Sequence, residues 1–170
     1  FNDFVELRIA LDGRAEVCNY RRAIFVASLN AVLHYLRLTS GTIHCHDQGP
    51  TECAERMASF IREQYGQPKI AQIGFQPKMI ERLQKDFAFR TVDLDPDNIG
   101  KRKADVIIEG PESSQAVCNW ADLLVVTGTT LVNNTIEEFL DINKPTLFYG
   151  TTVAGAASLM GWPRFCSSSQ

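Results

Sequence analysis

Val125-Val126-Thr127-Gly128-Thr129-Thr130 and Leu147-Phe148-Tyr149-Gly150-Thr151-Thr152 each run an apolar stretch straight into Gly-Thr-Thr. The two glycines stand 22 residues apart (150 − 128), and the interval Leu131 to Lys144 reads as a helix. That spacing suits one strand–turn–helix unit. With the two strands as parallel neighbours, both turns fall on one edge of a sheet. In open α/β sheets that edge, at the carboxyl ends of the strands, is where ligands bind.

Working outward, the same alternation continues. Ile70 to Phe75 reads as a first core strand, followed by a helix opening at Pro77, with Met79, Ile80 and Leu83 facing inward. Phe89 to Asp93 is a second strand and Val106 to Ile108 a short third. A helix over Glu112 to Asn119 leads into the strand Leu123 to Thr127, then a helix over Asn134 to Ile142 and the strand Thr146 to Tyr149. A helix over Ala154 to Met160 closes the series. This alternation predicts an α/β fold: a Rossmann-like, doubly wound and mainly parallel sheet with helices on both faces.

A short strand/helix segment precedes it. Phe4-Val5-Glu6-Leu7-Arg8-Ile9 alternates like a strand, and Asp12-Gly13 signals a turn. Asn19 reads as the N-cap of a helix from Tyr20 to about Leu38, whose apolar residues nearly encircle it and predict a largely buried element. Asn30, in the middle of it, is either an amide bonded to nearby backbone or a polar group aimed into a pocket. A polar loop from Thr39 to Pro50 leads to a helix over Thr51 to Tyr65, stopped by Gly66. The expected organisation is an N-terminal segment over 1–45, a ligand-binding domain over 46–163 and a flexible tail over 164–170.

Composition narrows the classes. The 170 residues, 45% apolar and 22% charged, suit one soluble domain. A net charge of −3 without a Lys/Arg block argues against nucleic acid as a partner. The longest apolar run, Ala23 to Ala27, is too short to span a membrane, and no signal peptide opens the chain. Five cysteines without regular spacing fit neither a disulfide framework nor a paired Cys-x-x-Cys zinc pattern, so a cytoplasmic setting is expected.

The densest polar cluster lies at Thr127 to Thr135. Gly128 lets bare amides approach a ligand, a helix start there favours phosphate or carboxylate, and Thr127, Thr129, Thr130, Asn133 and Thr135 add neutral donors and acceptors. The bland alternative is that Asn133 or Thr135 merely caps a helix. Gly150 and Thr151 gain weight from their place beside this turn. Gly74 and Phe75 close the first strand, but the Gly-x-Gly-x-x-Gly fingerprint is absent, which disfavours ordinary NAD binding. Asp93, 19 residues after Gly74 (93 − 74), stands where an acidic residue accepts hydrogen bonds from a ribose or another diol. His44, Cys45 and His46, with Cys53 beyond, form the one cluster with metal-ligand chemistry. Cys53 shares its helix face with Met57, Phe60 and Ile61, as a plain core thiol would.

Val125 to Thr135, reading Val-Val-Thr-Gly-Thr-Thr-Leu-Val-Asn-Asn-Thr, resembles the Thr-Gly-Thr-Thr-Leu-Val-Asn-Gly-Thr signature of the putative heavy-metal chelation family. Ile73 to Pro77, the turn at Gly150 and Ser28 to Val32 add to the likeness, which covers roughly Tyr20 to Gly161. Asn134 stands where that signature has glycine, and Gly150-Thr151-Thr152 replaces a Gly-Pro-Ser-like turn. The resemblance implies a Rossmann-like domain that follows a small domain like the N-terminal domain of enolase, of which residues 1–45 would be a remnant. It also implies a ligand site at the sheet edge and a link to metal-chelating or pterin-like small molecules.

The leading expectation is therefore a small-molecule-binding protein, an enzyme of undefined reaction, acting on an anionic or hydroxyl-rich metabolite. The alternatives are a metal-binding or delivery protein using His44, Cys45 and His46, and a methyltransferase using S-adenosylmethionine. No cofactor is named by the sequence, and a homo-oligomer is compatible with it.

Overall fold

A computed structural model of the chain describes residues 15–167 and Ser169. The strand expected over Phe4 to Ile9 and the turn at Asp12-Gly13 lie outside the described residues.

The sheet contains β1 (Ile70–Ile73), β2 (Phe89–Val92), β3 (Arg102–Lys103), β4 (Val106–Glu109), β5 (Leu123–Thr127), β6 (Thr146–Tyr149) and β7 (Arg164–Phe165). Their spatial order is β3-β4-β2-β1-β5-β6-β7. β1 pairs in parallel with both β2 and β5, β2 with β4, β5 with β6 and β6 with β7, whereas β3 runs antiparallel to β4. The helices are α1 (Ala15–Tyr35), α2 (Gly49–Tyr65), α3 (Pro77–Leu83), α4 (Ser114–Trp120), α5 (Thr129–Asn133), α6 (Glu137–Leu140) and α7 (Ala154–Met160).

Side chains alternate along each strand, so the inner strands β1, β2, β5 and β6 feed two cores. Ile70, Leu123, Val125, Leu147 and Tyr149 meet Cys53, Met57 and Ile61 of α2 and Met79 and Leu83 of α3. Ala71, Ile73, Val92, Leu124, Val126 and Phe148 meet Val117 and Cys118 of α4, Phe139 of α6 and Ala157 of α7. The doubly wound, mainly parallel α/β fold is therefore observed. Its central strand β1 is buried at all four positions.

Lys144 joins two of these layers. Its ammonium group donates to Cys118 O at 2.9 Å and to Asn119 O and Ala121 O at 2.6 Å, satisfying the free carbonyls at the end of α4. Lys144→Met removes a cation from a helix C-terminus along with three bonds, and should lower unfolding free energy by about 1–2 kcal/mol. Urea denaturation measures this; an unchanged midpoint would rule the cap out as a stabilising element.

Four expectations differ from the structure. Asn19 is not an N-cap, since α1 begins at Ala15; its Oδ1 instead accepts from Arg22 Nη2 at 2.5 Å, while Arg22 Nε donates to Val132 O at 2.7 Å. α1 is also not largely buried. Cys18, Val26, Asn30 and Leu33 face inward, but Val32 is 54% and Tyr35 85% exposed. The reason is that α1 packs on α5 and α7 from outside, with one face only. The helix expected over Asn134 to Ile142 shrinks to the four residues of α6, because a separate short helix, α5, starts directly after Gly128 and is stopped by Asn134 in a left-handed conformation (φ 61°). Finally, the tail expected at 164–170 begins with β7. Arg164 Nε donates to Gly150 O at 2.9 Å and Nη1 to Ser40 O at 3.2 Å, with Nη2 bonded to Gly41 O.

Candidate functional site

From β1 the chain moves to one side, through β2 and β4, and then crosses back to β5 on the other. The point of reversal lies between the carboxyl ends of β1 and β5, where such sheets open a crevice. A cavity of about 590 Å³ occupies this position, lined by Gly74, Asp93, Thr127, Thr129, Thr130, Asn133 and Thr135 among others. These are seven of the residues singled out from sequence. Phe75, Gly128 and Gly150 are not among its lining residues. Thr151 lines a second cavity, between α1 and the two Gly-Thr-Thr turns, which shares Thr129 and Asn133 with the first.

Gly74 has φ 94°, and a Cβ built there would lie 2.5 Å from Thr127 Cγ2. Both the backbone conformation and the neighbouring strand therefore require glycine. Gly128 is different. Its φ is −62°, open to any residue, but a Cβ would meet Val153 N at 2.6 Å. Close packing against the second turn, rather than access for a ligand, explains this glycine.

The carbonyl of Gly74 accepts from Tyr149 Oη and Gln72 Nε2, each at 2.9 Å, so a buried polar cluster supports the crevice floor. Burial above all, with the Asp93 charge, pushes the Tyr149 hydroxyl above the usual tyrosine range, against a hydrogen bond with Thr127. A raised folded-state value means that Tyr149 contributes stability below the unfolded-chain pKa of about 10 and loses it as pH rises further. Tyr149→Phe should remove part of that alkaline dependence and cost about 1–2 kcal/mol at neutral pH. Unfolding midpoints between pH 7 and 11 read both effects, and parallel curves for the two proteins would refute the assignment.

Asp93 is a bracket between two loops. Its Oδ2 accepts from Phe75 N at 2.5 Å; its Oδ1 accepts from Asp95 N at 2.8 Å and Asn98 Nδ2 at 3.2 Å. The helix-capping roles considered for Asn133 and Thr135 do not occur, since α5 begins at Thr129. Thr129 Oγ1 donates to Thr127 Oγ1 at 3.1 Å, and Thr130 Oγ1 to Thr127 O at 2.7 Å. Thr135 Oγ1 is buried without a hydrogen-bond partner.

Asn30 proves to be a long-range clamp. Nδ2 donates to Thr151 O and Thr152 O, both at 3.1 Å, and Oδ1 accepts from Gly155 N at 2.8 Å. The amide is bonded to backbone, as the bland reading held, but to backbone more than 120 residues away.

His44 Nδ1 lies 3.0 Å from Cys45 O and 3.8 Å from Cys45 Sγ. Among the described residues, no three His, Cys, Asp or Glu side chains are grouped closely enough to hold a metal ion. Burial, then the neighbouring Cys166 and Cys53 thiols, pushes the Cys45 thiol up, away from the thiolate that binds metals. Cys53 sits in the core, 4% exposed, as its helix face predicted.

Leu94, Pro96, Pro111, Ser114, Glu138 and Phe139 also line the crevice and were not singled out from sequence. Pro111 and Ser114 were within reach of the same logic, because they follow β4 at the same sheet edge. Glu138 and Phe139 were not, since they enter through the break at Asn134.

A model of the family described as "Putative heavy-metal chelation" (DUF364) matches residues 58–157. This chain belongs to that family. Two solved DUF364 proteins, both described as of unknown function, share its fold. The one from Pyrococcus horikoshii is 20% identical, with a TM-score of 0.60 over 88% of this chain and 53% of its own. The one from Desulfitobacterium hafniense is 14% identical, with a TM-score of 0.50 over 61% of this chain and 40% of its own. The chain thus spans about half or less of the length of either. No curated protein matches it. Among the described residues of this DUF364 chain, no helix is long and apolar enough to cross a membrane.

Proposed function

We propose that this DUF364 chain binds a small molecule in the crevice between the carboxyl ends of β1 and β5, and that the crevice is the centre of whatever reaction the protein carries out. The observation behind this reading is the gathering of Gly74, Asp93, Thr127, Thr129, Thr130, Asn133 and Thr135 around one cavity at the point where the strand order reverses. The alternative centred on His44, Cys45 and His46 has no comparable convergence of donors behind it.

The test is an amide NMR screen of the full chain against a mixed small-metabolite library. Binders should shift the amides of Gly74, Thr127 and Thr135. Thr129 is exposed at the mouth of both cavities, so Thr129→Trp should obstruct binding while leaving the melting temperature nearly unchanged. Binders that shift only residues elsewhere, or that are indifferent to the tryptophan, would remove the crevice from consideration.

A further inference from the structure

The charge and donor pattern of the crevice limits what it can hold. Its lining includes the carboxylates of Asp93, Asp95 and Glu138 and no Lys, Arg or His. Five backbone donors that could grip a phosphate at this edge are already engaged. Phe75 N and Asp95 N donate to Asp93, at 2.5 and 2.8 Å, and Gly74 N donates to Val92 O at 2.8 Å. Gly128 N donates to Tyr149 O at 2.9 Å and Thr129 N to Thr127 Oγ1 at 3.4 Å. α5 has five residues, too few for a helix dipole to offset three carboxylates.

What remains unengaged suits the opposite kind of ligand. Thr135 Oγ1 is buried and unpartnered at the cavity wall, and Glu138 and Asp95 Oδ2 offer carboxylate oxygens that accept bonds from hydroxyl or amine groups. Leu94, Pro96, Pro111 and Phe139 supply apolar walls of the kind that hold a flat ring.

We infer that the crevice selects uncharged or positively charged molecules in which a flat ring carries hydroxyl or amine donors, and rejects their phosphorylated counterparts. This rests on the crevice being a ligand site, and it removes the anionic half of the class expected from sequence. A phosphate dianion facing three carboxylates should bind about tenfold or more weakly than its uncharged parent.

The experiment titrates the full chain with adenosine, S-adenosylmethionine and adenosine 5′-monophosphate, followed at the amides of Gly74, Thr127 and Thr135. Adenosine or S-adenosylmethionine should bind there, and the monophosphate about tenfold or more weakly. Glu138→Lys, an exposed change at the rim, should narrow that gap. Monophosphate binding at these amides as tight as adenosine overturns the charge rule and leaves the crevice a site. Failure of adenosine and S-adenosylmethionine, while other library compounds bind there, overturns the ring-and-donor class. Silence of these amides toward every compound instead removes the underlying site.

Discussion

Gly74→Val is expected to destabilise the protein by about 2–5 kcal/mol, a large share of the 5–15 kcal/mol typical of a folded domain. Two separate penalties meet at this position. The backbone sits at φ 94°, where a β-branched residue is strained, and the new Cβ would come 2.5 Å from Thr127 Cγ2 and 3.2 Å from Tyr149 Oη. Relief would require β1 and β5 to separate at the mouth of the crevice, so ligand binding should fall along with stability. Gly150→Ala is the informative control. Gly150 has φ 93°, but a Cβ added there would meet nothing within 4 Å, so it isolates the backbone penalty. Equilibrium denaturation of both variants separates the terms, and equal losses would refute the steric part.

The second large effect is expected at Asn30. Asn30→Leu keeps a similar volume but removes the clamp, leaving Thr151 O, Thr152 O and Gly155 N without their partner. The expected loss is about 2–4 kcal/mol. Asn30→Asp should be at least as harmful, because it sets a carboxylate against two carbonyl oxygens and keeps only the bond from Gly155 N. Hydrogen exchange adds a positional readout: protection should fall in α1 and α7 before it falls in β1 and β5. Uniform loss across the sheet would show that Asn30 acts on the whole domain rather than on this joint.

Much of the architecture could be read from the chain because strand and turn signals agreed. Leu123 to Thr127, Thr146 to Tyr149 and the helix Ala154 to Met160 match the structure at both ends, each bounded by glycine, proline or a polar turn. Pro77 opens α3 as expected, with Gln76 Oε1 accepting from Met79 N at 2.7 Å. The misses share a cause: tertiary contacts overrode local pattern. Ile24 and Val32 look like core residues until the neighbours of α1 are known. Arg164 looks like the start of a loose tail, yet its guanidinium ties β7 to carbonyls near residues 40 and 150. β3 is two residues of charged sequence, Arg102 and Lys103, and only its partner β4 makes it a strand.

The crevice proposed as the site was legible as a place and less so as chemistry. That Gly74, Asp93 and the threonines would meet at one sheet edge was readable because the strand ends were. Their bonding was not, since the sequence cannot show that Asp93 already serves Phe75 and Asp95. Nor could it show that Gly128 makes room for Val153.

The Asn30 clamp also has a bearing on biosynthesis. Its partners lie 121 to 125 residues further along the chain. On the ribosome, α1 emerges early but can dock only after Thr151 to Gly155 has been made, by which time β1, β2 and β4 are already available to pair. The apolar helix must therefore wait undocked while the sheet is assembled beneath it. Nascent chains stalled before Thr151 to Gly155 has cleared the ribosomal exit tunnel should expose α1 to chaperones, and those in which it has cleared should not.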